Sequence, residues 1–174
     1  MRSLFLIGVF VLFFLNTFAQ AKTDRGYLVQ VGQKAPDIQL RLTDGSHLSL
    51  NELKGKVVVL QFTASWCSVC RKEMPHLESE IWNVFKNKDF LLIGVDYDEP
   101  LEKVKAFKQE MKVSYPFALD PGAGIFHQFA KQGAGVTRNV VIDQQGTIVF
   151  LTRLYDRPEF EAMKAKIARL LQKK

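Results

Sequence analysis

Val57 to Phe62 is an apolar run rich in β-branched residues, with no polar break until Gln61. That pattern predicts a strand buried on both faces. Phe90 to Val95 predicts a second one. Upstream, Ile38-Gln39-Leu40-Arg41-Leu42 alternates apolar and polar, Asp44-Gly45 is a hairpin turn pair, and Leu48 and Leu50 continue a return strand. Asn51 to Gly55 reads as one helical turn closed by Gly55. Ser68 to about Lys86 is a long helical segment with Leu77, Ile81, Val84 and Phe85 as its apolar stripe. Pro75 inside it predicts a kink near Arg71.

Further along, Pro100 to Lys112 is helical, with Val104, Phe107 and Met111 on one face. Pro116 to Leu119 predicts a short strand and Ile125 to Lys131 a short helix. Val140 to Ile142 and Ile148 to Leu151 are strands joined by Asp143-Gln144-Gln145-Gly146. Asp156-x-x-Glu159 with Pro158 starts a last helix, whose apolar face is Phe160, Met163, Ile167 and Leu170. Strands alternating with helices and ending in a hairpin predict an α/β fold with a mixed sheet and helices on both faces. No internal linker is visible, so residues 22–174 are expected to form one domain, with residues 22–35 as a polar, extended lead-in.

Residues 1–21 have a different pattern. Arg2 precedes an unbroken apolar run from Leu4 to Leu15; Asn16 and Thr17 end it, and Ala19-Gln20-Ala21 follows at A-x-A spacing. This is the layout of a secretory signal peptide. Twelve helical residues at ~1.5 Å each fall short of a ~30 Å hydrocarbon core. The rival reading is an uncleaved anchor through residues 4–18, and both readings put the rest of the chain in an oxidising space. If the segment is cleaved, the mature chain begins near Lys22 or Gln20.

Composition narrows the classes. Of 174 residues, 47% are hydrophobic and 24% charged, which excludes a disordered chain and, with one long apolar run, a multi-span membrane protein. The formal net charge is +6, but Lys and Arg interleave with Asp and Glu. A basic soluble surface fits that better than a nucleic-acid partner.

The chemistry concentrates at Trp66-Cys67-Ser68-Val69-Cys70, which holds both cysteines of the chain at the end of a buried strand and the start of a helix. At a helix N-terminus, free N–H groups and the helix dipole favour the thiolate of Cys67. Cys70, one turn on, can attack a mixed disulfide on Cys67 and release the partner. Trp66 would flank the sulfur. The alternatives are an inert disulfide, which would add little because it closes almost no loop, and a zinc site, which takes four ligands where only two Cys exist and His47, His76 and His127 show no paired spacing.

Gly32-x-x-Ala35-Pro36-Asp37, Leu53-Lys54-Gly55-Lys56 and Trp66-Cys67-Ser68-Val69-Cys70-Arg71-x-Glu73-x-Pro75 together resemble the TlpA/ResA-like thioredoxins. The resemblance implies a thioredoxin fold carrying an N-terminal β-hairpin extension and a central βα insertion. It implies an exported thiol–disulfide oxidoreductase, periplasmic in a Gram-negative bacterium, with protein disulfides as substrates. It also implies a thiol electron donor, membrane-embedded in some cases, no metal or organic cofactor, and a monomer. Cys67 would be the nucleophile and Cys70 the resolving thiol. Glu73 matches an acidic residue that tunes the dithiol or handles its proton; the alternative for it is a solvated first-turn Glu. A disulfide oxidase, or a thioredoxin-like binding module without turnover, remains as an alternative function.

Two positions depart from the family pattern. Gln61 stands where ordinary thioredoxins have a buried Asp. Thr137 stands where the family has a cis-proline opposite the dithiol. A cis bond before a non-proline residue costs about 2.5–4 kcal/mol, so Val136–Thr137 is expected trans, with the Thr hydroxyl and N–H free to reach the sulfurs or an incoming chain. Arg138 could supply positive charge near Cys67, but it reads first as a surface residue. Peroxiredoxins are discounted because Leu60 and Ala64 stand where their Pro and Thr would be.

Overall fold

The computed structural model describes residues 25–172; the expected leader, residues 1–21, lies outside them. In chain order the elements are β1 (Gln39–Leu42), β2 (His47–Ser49), β3 (Val57–Thr63), α1 (Ser68–His76), α2 (Asn83–Phe85), β4 (Phe90–Tyr97), α3 (Leu101–Glu110), β5 (Phe117–Asp120), α4 (Phe126–Phe129), β6 (Arg138–Ile142), β7 (Ile148–Arg153) and α5 (Arg157–Gln172). The strands form one sheet in the order β2-β1-β5-β4-β3-β6-β7. β3, β4 and β5 run parallel, β6 is antiparallel to β3, and the hairpin β1–β2 extends the sheet beyond β5. The β-hairpin extension and the inserted strand and helix β5–α4 are therefore present.

β3 is central because it can be: all seven of its residues are buried, with neighbours hydrogen-bonded on both sides. Val57 and Val59 face a core shared with Leu77, Val104, Phe107, Met163 and Ile167, from α1's continuation, α3 and α5. Val58, Leu60 and Phe62 face the other core, with Leu50, Leu53, Phe126 and Phe129. Gly94 on β4 lies flat under Phe117, where an added Cβ would approach the ring to 2.7 Å.

Three expectations need correction. The long helix does not keep one period: α1 runs through Pro75 to His76 and then widens into a π-helical segment, Leu77–Trp82. The wider turn shifts the helical phase, so Val84 leaves the apolar stripe and is 56% exposed, while Leu77, Ile81 and Phe85 stay buried. The return strand stops at Ser49, because Ser49 and Glu52 form a capping box that starts a 3-10 turn at Leu50. The lead-in is strapped down rather than simply extended. Leu28 N–H donates to the Phe129 carbonyl and Gly32 N–H to that of Ile148, both at 2.8 Å, and Val29 is buried.

Candidate active site

The turn between β3 and α1 carries the dithiol. Cys67 is the N-cap of α1, with extended backbone (φ −85°, ψ 102°), and its Sγ accepts the Cys70 N–H at 3.1 Å. Cys67 N–H in turn donates to the Ala64 carbonyl at 3.1 Å. The two cysteines are disulfide-bonded with Cα atoms 5.3 Å apart. Cys70 is fully buried and Cys67 6% exposed, so the outer sulfur is the one at the helix start. Trp66 beside it is 62% exposed and meets the Tyr97 ring edge-on, centroids 6.3 Å apart.

Thr137 does reach the dithiol. Its Oγ1 lies 3.1 Å from Cys67 Sγ and 3.3 Å from Cys70 Sγ. The described residues contain no cis peptide bond, and the Thr137 carbonyl accepts the Leu154 N–H at 3.0 Å. The loop is anchored by the next residue. Arg138 is not at the surface: it is 1% exposed, with its guanidinium stacked 4.4 Å over the Tyr27 ring. Its Nε donates to the Gly135 carbonyl at 2.9 Å and one terminal nitrogen to the Arg25 carbonyl at 2.7 Å. The cation is thus spent on carbonyls and an aromatic face, tying the lead-in to the Thr137 loop. The basis for expecting it at the surface was residue type alone, which a buried cation with enough acceptors overrides.

Glu73 is not a solvated first-turn residue either. It is 1% exposed beneath α1, and Asn139 Nδ2 donates to its Oε1 at 2.7 Å. Burial pushes its carboxyl up to about 8, against the Asn139 hydrogen bond and the pull of the nearby Gln61 amide, which favour the anion. Gln61 is buried as well, and its Oε1 accepts from Tyr115 O–H at 2.8 Å. The amide therefore fills its site as a hydrogen-bonding group without a titratable proton.

Sequence reasoning missed three residues here. Asn139 orients Glu73 and also donates to Thr152 Oγ1 at 2.9 Å. Its signal was an amide within a run of buried β residues. Glu99 accepts from Ser65 N–H at 2.6 Å and from Ser65 Oγ–H at 2.7 Å. Its signal was the i,i+4 spacing to Lys103, whose Nζ lies 2.6 Å from Glu99 Oε1. Asp96, at the end of β4, is fully buried, and neither of its carboxylate oxygens has a donor. Burial and the adjacent Glu99 charge raise its carboxyl to about 8. Among the described residues no group of three or more His, Cys, Asp or Glu is gathered to hold a metal ion.

The family model described as Redoxin matches residues 30–169. The thiol-disulfide oxidoreductase ResA of Bacillus cereus is 32% identical over 121 residues, 70% of this chain and 68% of its own length. A candidate protein disulfide isomerase from Bacteroides thetaiotaomicron, solved in solution, is 56% identical with a TM-score of 0.82, covering 85% of this chain and 94% of its own. The thioredoxin domain of a thiol-disulfide oxidoreductase from Bacteroides vulgatus is 30% identical with a TM-score of 0.67, covering 79% and 98% respectively.

Proposed function

The chain belongs to the redoxin family, with the thioredoxin fold and a Cys67–Cys70 pair, and on that premise we propose how this thiol–disulfide oxidoreductase works. It acts on disulfides of partner proteins, in the reducing direction. Cys67 thiolate attacks one sulfur of the substrate disulfide; that S–S bond breaks, one substrate thiolate leaves, and a mixed disulfide forms. Cys70 thiolate then attacks Cys67 Sγ, releasing the second substrate thiolate and closing the Cys67–Cys70 disulfide. The substrate gains two electrons and the dithiol loses two. A thiol donor protein, membrane-embedded in the arrangement we favour, returns them by the reverse exchange.

The observation that carries the role assignment is the inequality of the two sulfurs: Cys67 caps α1 and accepts a backbone N–H, while Cys70 is sealed beneath it. Glu73, one turn beyond Cys70, supports a proton-handling role, because a neutral carboxyl there imposes no like charge on a nascent Cys70 thiolate. Thr137 offers a hydroxyl to whichever sulfur carries charge. Trp66 supplies the exposed aromatic lip against which a substrate chain packs. Residues 1–21 serve as an export leader or as an anchor through residues 4–18, and residues 22–174 form the working domain, a monomer acting in the periplasm. No described helix is long and apolar enough to cross a membrane.

The test is trapping. Cys70→Ala should accumulate mixed disulfides with partner proteins, and Cys67→Ala should accumulate none; both should lose insulin reduction. Trapping by Cys67→Ala instead would reverse the roles, and insulin reduction by either single variant at the wild-type rate would remove the dithiol mechanism.

A further inference from the structure

Ser65 has each of its polar groups held by a charged side chain. Its N–H and its hydroxyl both go to the Glu99 carboxylate, at 2.6 and 2.7 Å, and its carbonyl accepts Arg71 Nε at 2.7 Å. Both charges are themselves secured from α3: Lys103 holds Glu99, and Glu110 pairs with Arg71. Ser65 and Trp66 are the inner residues of the turn that Cys67 N–H closes on the Ala64 carbonyl. The segment between β4 and α3 therefore grips the turn that delivers Cys67 to the end of α1.

The chain bends sharply to do this. Asp98 takes a left-handed backbone (φ 52°), which L-residues with a side chain avoid, and is pinned there by its N–H on the Asp120 carbonyl at 3.1 Å and by Gly122 N–H on its Oδ1 at 2.7 Å. The bend carries the next residue, Glu99, back towards Ser65. The Glu99 side chain is 4% exposed and faces Asp96 from β4, Lys103 from α3 and Ser65 from the turn. Burying a carboxylate beside a second carboxyl is costly unless its donors are fixed, so this arrangement is more than a turn requires for its own closure.

We infer that Glu99 is a positioning residue for the redox centre: by gripping Ser65 it holds the Ala64–Cys67 turn so that Cys67 Sγ stays aligned with the Cys70 N–H. The inference rests on Cys67 being the nucleophile. A thiolate gains from that N–H and from the helix end only while the alignment lasts. Loosening the turn therefore makes Cys67 less acidic. Acting through charge alone, Glu99 would do the opposite, since removing a nearby anion makes a thiol more acidic.

The opposed signs make the test decisive. Reduced protein is labelled with iodoacetamide across the pH range in which thiols ionise, and each cysteine is read by mass spectrometry. Glu99→Asp keeps the charge and shortens the reach; Glu99→Gln removes the charge and one of the two acceptors to which Ser65 donates. Both should slow Cys67 labelling at neutral pH, by about threefold to tenfold, and shift its pH profile upward. Wild-type labelling by Glu99→Asp together with faster labelling by Glu99→Gln would overturn the inference in favour of a charge effect. An unmoved profile in both, even with a lowered melting temperature, would overturn it in favour of a purely structural role. If the Glu99 variants do not fold, Ser65→Ala removes one bond and no charge; slower labelling supports the grip, and an unchanged profile overturns it. First labelling of Cys70 in the wild-type protein would sink the role assignment and this inference together, whereas Cys67-first labelling with unmoved variants sinks the inference alone.

Discussion

Glu73 and Glu99 lie on two sides of the same dithiol turn, nearly equally hidden at 1% and 8% exposure, yet they carry opposite charge states. Burial raises Glu73 to about 8, so it is mostly protonated at neutral pH. Burial also acts to raise Glu99, but Lys103 and the two Ser65 donors outweigh it and the carboxyl ends below its usual value. Glu73 has amides for neighbours and no cation; Glu99 has an ammonium and an aimed N–H and O–H. The difference teaches that donors, together with depth, decide whether a buried carboxyl ionises here.

The comparison can be broken most decisively by pH. Between about pH 4.5 and 8 the folded protein keeps protons on Glu73 and Asp96 that the unfolded chain has released. The folded state then binds more protons, so unfolding free energy falls as pH rises through that window and levels off above it. At about 1.4 kcal/mol per pH unit for each proton retained, the combined loss should reach several kcal/mol. Glu73→Gln should remove about half the slope, with Asp96 retaining the rest, and should raise stability at pH 8 more than at pH 5. Urea melts at several pH values check this; a wild-type slope in Glu73→Gln would mean that Glu73 is ionised.

A smaller effect sharpens the other side. Glu99→Leu strands the Ser65 donors and leaves Lys103 unpaired. Breaking a buried pair costs about 3–5 kcal/mol, but Lys103 is half exposed and can recover water, so about 2 kcal/mol is expected. The pH slope should survive, or lessen slightly as Asp96 loses its charged neighbour. Loss of the whole slope in this variant would show that Glu99, rather than Glu73, carries the proton.

The least effect belongs to Thr137→Val, which removes the hydroxyl and keeps the shape. The shift in the Cys67–Cys70 reduction potential should stay under about 15 mV, equivalent to about 0.7 kcal/mol. Equilibration with glutathione measures it; a much larger shift would make Thr137, and neither carboxyl, the dominant influence on the sulfurs.

Local chemistry was legible in the sequence and packing was not. The apolar run 57–62, the Asp44-Gly45 turn and the Asp156 cap each encode a neighbour within a few residues, and each element stands where it was expected. Cys67 at a helix start follows from the same short-range logic. Val84 was misread because one π-helical turn changes the period, which no average periodicity carries. Arg138 was misread and Glu73 was left between two readings because their burial depends on partners 113 and 66 residues away. The Ser65–Glu99 contact spans 34 residues, and nothing in either local sequence announces the other.

The Thr137 hydroxyl has one hydrogen and stands almost midway between two sulfurs. A single hydrogen points one way at a time. Once the centre is reduced, the hydroxyl can serve one sulfur at a time, while Cys67 keeps the Cys70 N–H whichever way the hydroxyl points, and the second sulfur must lose its proton beside an anion. Removing a second proton beside an existing anion is harder than removing the first, so a dithiol loses its protons in two steps that belong to the pair rather than to either cysteine. Across the interval between them the centre holds a single negative charge shared by two sulfurs, and turning one O–H bond can move the preferred seat of that charge without moving the backbone.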